Sequence, residues 1–307
     1  MRTSFFDLHC DTATEIYLRG ETLEQNSLSV SLQKSAEFDT YVQVMAIWTH
    51  NDLSDEDGWR RFHDVLAYLK EDNAIKQGKA SIASRGREIG QNTSLLMALE
   101  DARILNQNIR RVEELYRIGI RVLTPLWGGE TCIGGSHDTA SGLTDFGRHA
   151  IKDAVSLGMI TDISHASLRS ADEIFDISEK QGRPVIASHS NAYDVCPASR
   201  NLRRDQIRDL LSLGGIIGLN FHCPFLSDQR QATREDVLKH TEYFFEQGCE
   251  DALCFGCDMD GATMPRDLPN LSAIPSLREY LARYYSENLL DKIFFENAYR
   301  FANRFLT

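Results

Sequence analysis

The sequence predicts a single (β/α)8 barrel of α/β class with extra C-terminal helices, and three observations carry that expectation. Short apolar runs alternate with amphipathic stretches from end to end, as in repeated strand and helix units around a parallel sheet. Eight such runs fit in 307 residues, a size that one α/β barrel commonly fills. Residues able to bind metal stand at the ends of five of the eight runs, and a barrel assembles its active site at the C-terminal ends of its strands. A doubly wound open sheet is the competing architecture.

The first run, "SFFDLHCD" from 4 to 11, ends in His9 and Asp11, which strand alternation places on one face. The 30 residues before the second run, "YVQVMAIW" from 41 to 48, do not read as one helix. In "DGWRRFHDVLAYLKED" Trp59, Phe62, Leu66 and Leu69 repeat at three and four residues and line one helix face. The third run, "SLLMALED", carries Glu100 at its end, and the fourth is "RVLTPLW". A helix over "LTDFGRHAIKDAVSLG" leads to the fifth run, "GMITDISH", which ends in His165. The helix "LRSADEIFDISEKQG" precedes the sixth, "PVIASHS", with His189. Helices over "RNLRRDQIRDLLSLGG" and "TREDVLKHTEYFFEQG" flank the seventh, "GGIIGLNFH", and the eighth, "ALCFGCDMD", ends around Asp258. Several of these helices close on glycine, the usual stop. The aromatic spacing of "SLREYLARYY" and "NLLDKIFFENAYRFANRF" fits helices packed on the barrel.

A net charge of -12 disfavours nucleic acid and anionic membrane as partners and mildly favours cations. No run of about 18 apolar residues is present to span a bilayer. The first strand begins almost at once, which leaves no room for a cleavable leader, so a cytoplasmic location is expected. Seven cysteines without a regular framework read as reduced thiols, and Cys254 and Cys257 lack the second pair that a structural zinc cage needs.

His9, Asp11, Glu100, His165, His189 and Asp258 thus converge on one rim as three imidazoles and three carboxylates. Six ligands exceed the three or four that one catalytic zinc takes, whereas two ions sharing a carboxylate fit the count. Mixed imidazole and carboxylate ligands suit zinc first, with other divalent metals left open.

As a set, "DLHCDT", "LMALED", "DISHAS", "IASHSNAY" followed by "ASRN", and "GCDMDG" resemble the ordered blocks of the membrane (renal) dipeptidase family, zinc hydrolases on an amidohydrolase-like barrel. The opening His-x-Asp is part of that resemblance, since other hydrolases on this barrel usually open with His-x-His. It implies one metal-dependent hydrolase domain over residues 1–307 that binds two zinc ions and cleaves small dipeptides, with a homodimer left open. By the same resemblance His9 and Asp11 hold one ion, His165 and His189 the other, and Glu100 bridges them. Asp258 handles the proton and Arg200 grips the substrate carboxylate. The alternatives are another amidohydrolase reaction, on a cyclic amide or an N-acyl amino acid, and a metal-binding barrel without turnover. One departure stands out. Members commonly place a histidine just after the fourth strand, where it helps hold the oxygen of the tetrahedral intermediate, yet here none occurs before His137. His137 folding back, His222 substituting and the ions acting alone are the three explanations, and the last is the expectation.

Overall fold

The computed structural model describes residues 3–90, 92–229 and 231–307. Its strands are β1 (Thr3–Cys10), β2 (Phe38–Trp48), β3 (Ala80–Ala83), β4 (Thr93–Glu100), β5 (Ile120–Thr124), β6 (Ile160–Asp162), β7 (Val185–Ile186), β8 (Ile217–Leu219) and β9 (Leu253–Phe255). All pair in parallel in the order β7-β6-β5-β4-β2-β1-β9-β8, and a parallel bridge between Ala187 and Ile217 joins the two ends into a nearly closed eight-stranded barrel. All eight expected strands are present. The addition is β3, which pairs with the first half of β4, from Thr93 to Leu96, while β5 pairs with the second half from Met97 to Glu100. β5 has five residues against eight in β4, so the lower edge of β4 would otherwise hold unpaired backbone groups.

The expected helix faces are buried. In Asp55–Glu71 the side chains of Trp59, Phe62, Val65, Leu66 and Leu69 turn to the sheet. The 30-residue gap becomes two short helices, Thr12–Arg19 and Leu32–Ser35. Inside the barrel Phe6, Leu8, Val44, Leu96, Ala98, Val122, Ile160 and Ile186 form one cluster, and Ala298, Phe301 and Ala302 of the last helix, Asn297–Phe305, join it as a plug with Leu306 just beyond. A larger layer between strands and helices makes up the rest of the core.

Strict alternation fails at one instructive place. Phe6 and Leu8 face the interior, which would turn His9 outward, but the β1–β2 register shifts between Asp7 and Cys10. That irregularity re-aims His9 into the barrel mouth. Gly218 and Gly256 permit a second close approach. A Cβ there would lie 1.9 and 1.7 Å from the carbonyl oxygen of Ser188, so no larger residue fits.

His240, on the helix Arg234–Glu246, ties the loop after β7 to the helix after β8. Its Nδ1 accepts from the backbone N–H of Ala192 at 3.1 Å and its Nε2 donates to the carbonyl of Leu226 at 3.0 Å. Burial pushes its pKa down from 6.5 to about 4, so the folded protein holds it neutral. It therefore contributes stability that is fully present above about pH 6.5 and lost as pH falls toward 4, about 3 kcal/mol in all. Urea denaturation at pH 7 and pH 4.5 should show a smaller acid loss in His240→Asn than in wild type, and equal losses would refute this assignment.

Candidate active site

The barrel brings the six expected residues to one mouth. His9 is the penultimate residue of β1, turned inward by the register shift, and Glu100 is the last of β4, where alternation from Leu96 and Ala98 places it. The other strands stop short: β6 ends at Asp162, β7 at Ile186 and β9 at Phe255, so His165, His189 and Asp258 sit on the loops that follow. His165 and Asp258 have left-handed backbones, with φ of 72° and 62°. Such a conformation is costly for residues with a Cβ and is held where surrounding contacts fix it.

The ligand-type atoms fall into overlapping groups whose members all lie within 4.8 Å of one another: His9, Asp11 and Glu100; Glu100, His165 and His189; and His9, His189 and Asp258. Glu100 divides its oxygens. Its Oε2 is 3.6 Å from His9 Nε2, while Oε1 is 3.1 Å from His165 Nε2 and 3.4 Å from His189 Nε2. His9 Nε2 also lies 3.6 Å from Asp11 Oδ2 and 3.9 Å from Asp258 Oδ1. His9 Nε2, Asp11 Oδ1 and Glu100 Oε1 are buried without a hydrogen-bond partner, although such groups are nearly always satisfied. A cation is the partner that this donor set fits: three carboxylates, three imidazoles and orphaned atoms aimed at common points.

Electrostatics divides the site in the same way. Burial works to lower the pKa of His9, but the carboxylates of Glu100 and Asp11 outweigh it and hold the imidazole well above 6.5. His165 and His189 go the other way: burial lowers both, and the Arg200 charge adds to it. Glu100 stays well below the usual carboxylate range despite burial, through His9 and His165. Burial, with Asp11 and Glu100 adding to it, raises Asp258 to about 7, and burial raises Asp11 to about 6.

The mouth opens into a cavity of about 280 Å³ walled by Trp48, His50, Trp127, His222 and Phe225, with Asp11, Glu15, Glu100, His165 and Asp258 at its polar end. The rings of Trp48 and Trp127 stand 4.9 Å apart. Arg200 is 5% exposed, its Nε has no partner, and its guanidinium lies 5.4 Å from the ring of Phe225 on the cavity wall. Burial lowers its pKa to about 10, which leaves it charged at neutral pH. His137 folds back: its N–H donates to the His165 carbonyl at 2.7 Å and its ring lies 6.0 Å from that of His165. Burial, then Arg200, lowers its pKa to about 4. The structure thus places both alternative donors, His137 and His222, beside residues of the mouth. Cys254 and Cys257 are buried free thiols.

Sequence reasoning missed the residues that hold this set in place. Asn220 donates to Asp258 Oδ2 at 2.9 Å and to the carbonyl of His189 at 3.2 Å. Asp260 accepts from Thr12 Oγ1 at 2.5 Å and from the N–H groups of Ser29 and Val30, which fixes the loop after the first helix. Both stand close to residues the sequence did single out, Asp258 and His222, and that proximity was the available signal.

Comparison with known proteins gives the chain's relatives. A Klebsiella pneumoniae protein, described as an uncharacterized protein in the pqqA 5' region, is 30% identical over 250 residues, which is 76% of this chain and 91% of that protein. A crystal structure of a metallo peptidase from Rhodobacter sphaeroides, liganded with a phosphinate mimic of the dipeptide L-Ala-D-Ala, superimposes with a TM-score of 0.91 at 22% identity, covering 99% of this chain and all of that one (100%). The crystal structure of dipeptidase AC, a metallo peptidase, superimposes with a TM-score of 0.92 at 23% identity, covering 100% of this chain and 99% of that one. At these identities the two structures establish the shared fold. Residues 1–305 match the family model for membrane dipeptidase, peptidase family M19, so this chain belongs to that metallopeptidase family.

Proposed function

We propose that residues 1–307 work as one hydrolase barrel, a binuclear zinc dipeptidase that cleaves the peptide bond of dipeptides with a free C-terminal carboxylate. The observation that carries this reading is Glu100, whose Oε2 faces His9 while its Oε1 faces His165 and His189. His9 and Asp11 would hold one ion, His165 and His189 the other, with Glu100 between them. Bound there, the ions would supply Lewis acidity, acidifying a water and polarising the scissile carbonyl. Asp258 would take a proton from the attacking water and return it to the departing amine. Asn220 holds one Asp258 oxygen, which leaves Oδ1 turned toward His9 and the reacting centre. Trp48 and Trp127 close one wall of a cavity of about 280 Å³, at the low end for ligand sites and in keeping with a substrate of two residues. A reducing, cytoplasmic setting suits the seven free thiols.

Arg200 is the proposed carboxylate clamp, because a planar guanidinium with a free Nε–H can pair a carboxylate through two bonds. The test compares an L,L and L,D dipeptide panel with the matching C-terminal amides on zinc-loaded enzyme. Wild type should prefer the acids, and Arg200→Ala should raise KM for the acids strongly while leaving the amides nearly unchanged. Equal losses on acids and amides would remove the clamp. Turnover of cyclic amides or N-acyl amino acids without turnover of dipeptides would replace the dipeptidase reading by the broader amidohydrolase one.

A further inference from the structure

Two buried groups decide which nitrogen of His189 carries its proton. Ser188 Oγ lies 2.7 Å from His189 Nδ1 and 2.5 Å from Asp162 Oδ2. Asp162 is fully buried and accepts from four donors. Its Oδ1 takes the backbone N–H of Ser164 and of Ser188, each at 2.9 Å, and its Oδ2 takes the hydroxyls of Thr124, at 2.7 Å, and of Ser188. A serine hydroxyl has one proton to give. The short bond to a carboxylate claims it ahead of the Ser164 hydroxyl at 3.5 Å. Toward His189, Ser188 therefore presents a lone pair, so the imidazole proton sits on Nδ1 and Nε2 is bare. His165 reaches the same state by another route, since its Nδ1 can only donate to the carbonyl of Trp127 at 2.9 Å. Two bare Nε2 atoms then face each other at 2.9 Å beside Glu100 Oε1 and cannot hydrogen-bond to one another. They are two ligands aimed at one cation.

We propose that Ser188, backed by Asp162, is a positioning residue that fixes the tautomer and aim of His189, and so governs the affinity of one ion alone, the one held by Glu100, His165 and His189. The inference rests on the two-ion reading above and adds a residue-level cause for unequal sites. Fixing the tautomer of a metal-binding histidine from behind is typically worth about 10- to 100-fold in metal affinity.

Asp162→Asn tests it without changing shape. The two backbone N–H groups at Oδ1 demand an acceptor, so the introduced amide must keep its oxygen there and place its NH2 where Oδ2 was. That NH2 donates to Ser188 Oγ, the serine proton turns to His189 Nδ1, and the imidazole proton moves to Nε2, where it blocks the ion. Nitrogen-15 spectra of metal-free protein labelled at histidine, with His189 assigned by its loss in His189→Gln, should show Nδ1–H in wild type and Nε2–H in Asp162→Asn. Zinc titration against a chelator should show one of two equivalents weakened by about 10- to 100-fold and the other unchanged. A wild-type tautomer in the variant, or equal weakening of both equivalents, overturns the proposal. Should the variant fail to fold, the wild-type spectrum decides alone, and Nε2–H on His189 overturns it. Wild-type protein that takes up no zinc would refute the dipeptidase reading, and the tautomer spectra would still decide the role of Ser188.

Discussion

Glu100→Ala is expected to remove both ions and, with them, more activity than any other single substitution at this site. Wild-type protein purified gently and supplied with zinc should approach two ions per chain by elemental analysis, whereas the variant should hold neither firmly. The cause lies in how the carboxylate is shared. Oε2 faces His9, and Oε1 faces both His165 and His189, so its loss takes a ligand from each position at once. A terminal ligand such as Asp11 belongs to one group only. Without either ion nothing acidifies the water, and kcat/KM should fall by more than the roughly 10⁴ that marks the upper end for a lost acid–base group. Folding should survive, since the core lies between strands and helices and in the plugged barrel, away from the mouth. A variant that retains one full equivalent of zinc, or a wild type that never exceeds one, would rule out the bridge.

The second large effect is expected from Asp258→Asn, which should lower kcat by about 10² to 10⁴ while at least one ion stays bound. Asn220 Nδ2 can only donate, so the introduced amide must turn its oxygen to Asn220 and its NH2, which cannot take a proton, toward His9. Shape and hydrogen bonding are preserved while proton transfer is lost. Zinc content and kcat measured on the same preparation check it. Loss of both ions would make Asp258 a primary ligand, a role its place 3.9 Å from His9 Nε2 leaves open to test.

What the sequence determined by itself follows from short-range rules. Strand and helix periodicities are local, so eight strands, the faces of their helices and the placing of Glu100 at a strand end were legible in order. Even the pairing of His9 with Asp11 was legible, although alternation was the wrong reason: a register shift in β1, set by its neighbour β2, is what turns His9 inward. Closure decided the rest. His165, His189 and Asp258 project from loops whose left-handed or folded-back course depends on contacts with other strands, such as the Ser188 carbonyl lying over Gly218 and Gly256. Nothing local marks Asp162 as the partner of Thr124 and Ser188, which are 38 and 26 residues away. Trp48 and Trp127 likewise become one wall only when β2 and β5 come to lie on either side of β4. The residues that bind could be read from the ends of apolar runs, because each stands at the last residue of its strand or within three residues of it. The residues that aim them could not, because hydrogen bonds between side chains from different strands exist only after the barrel has closed.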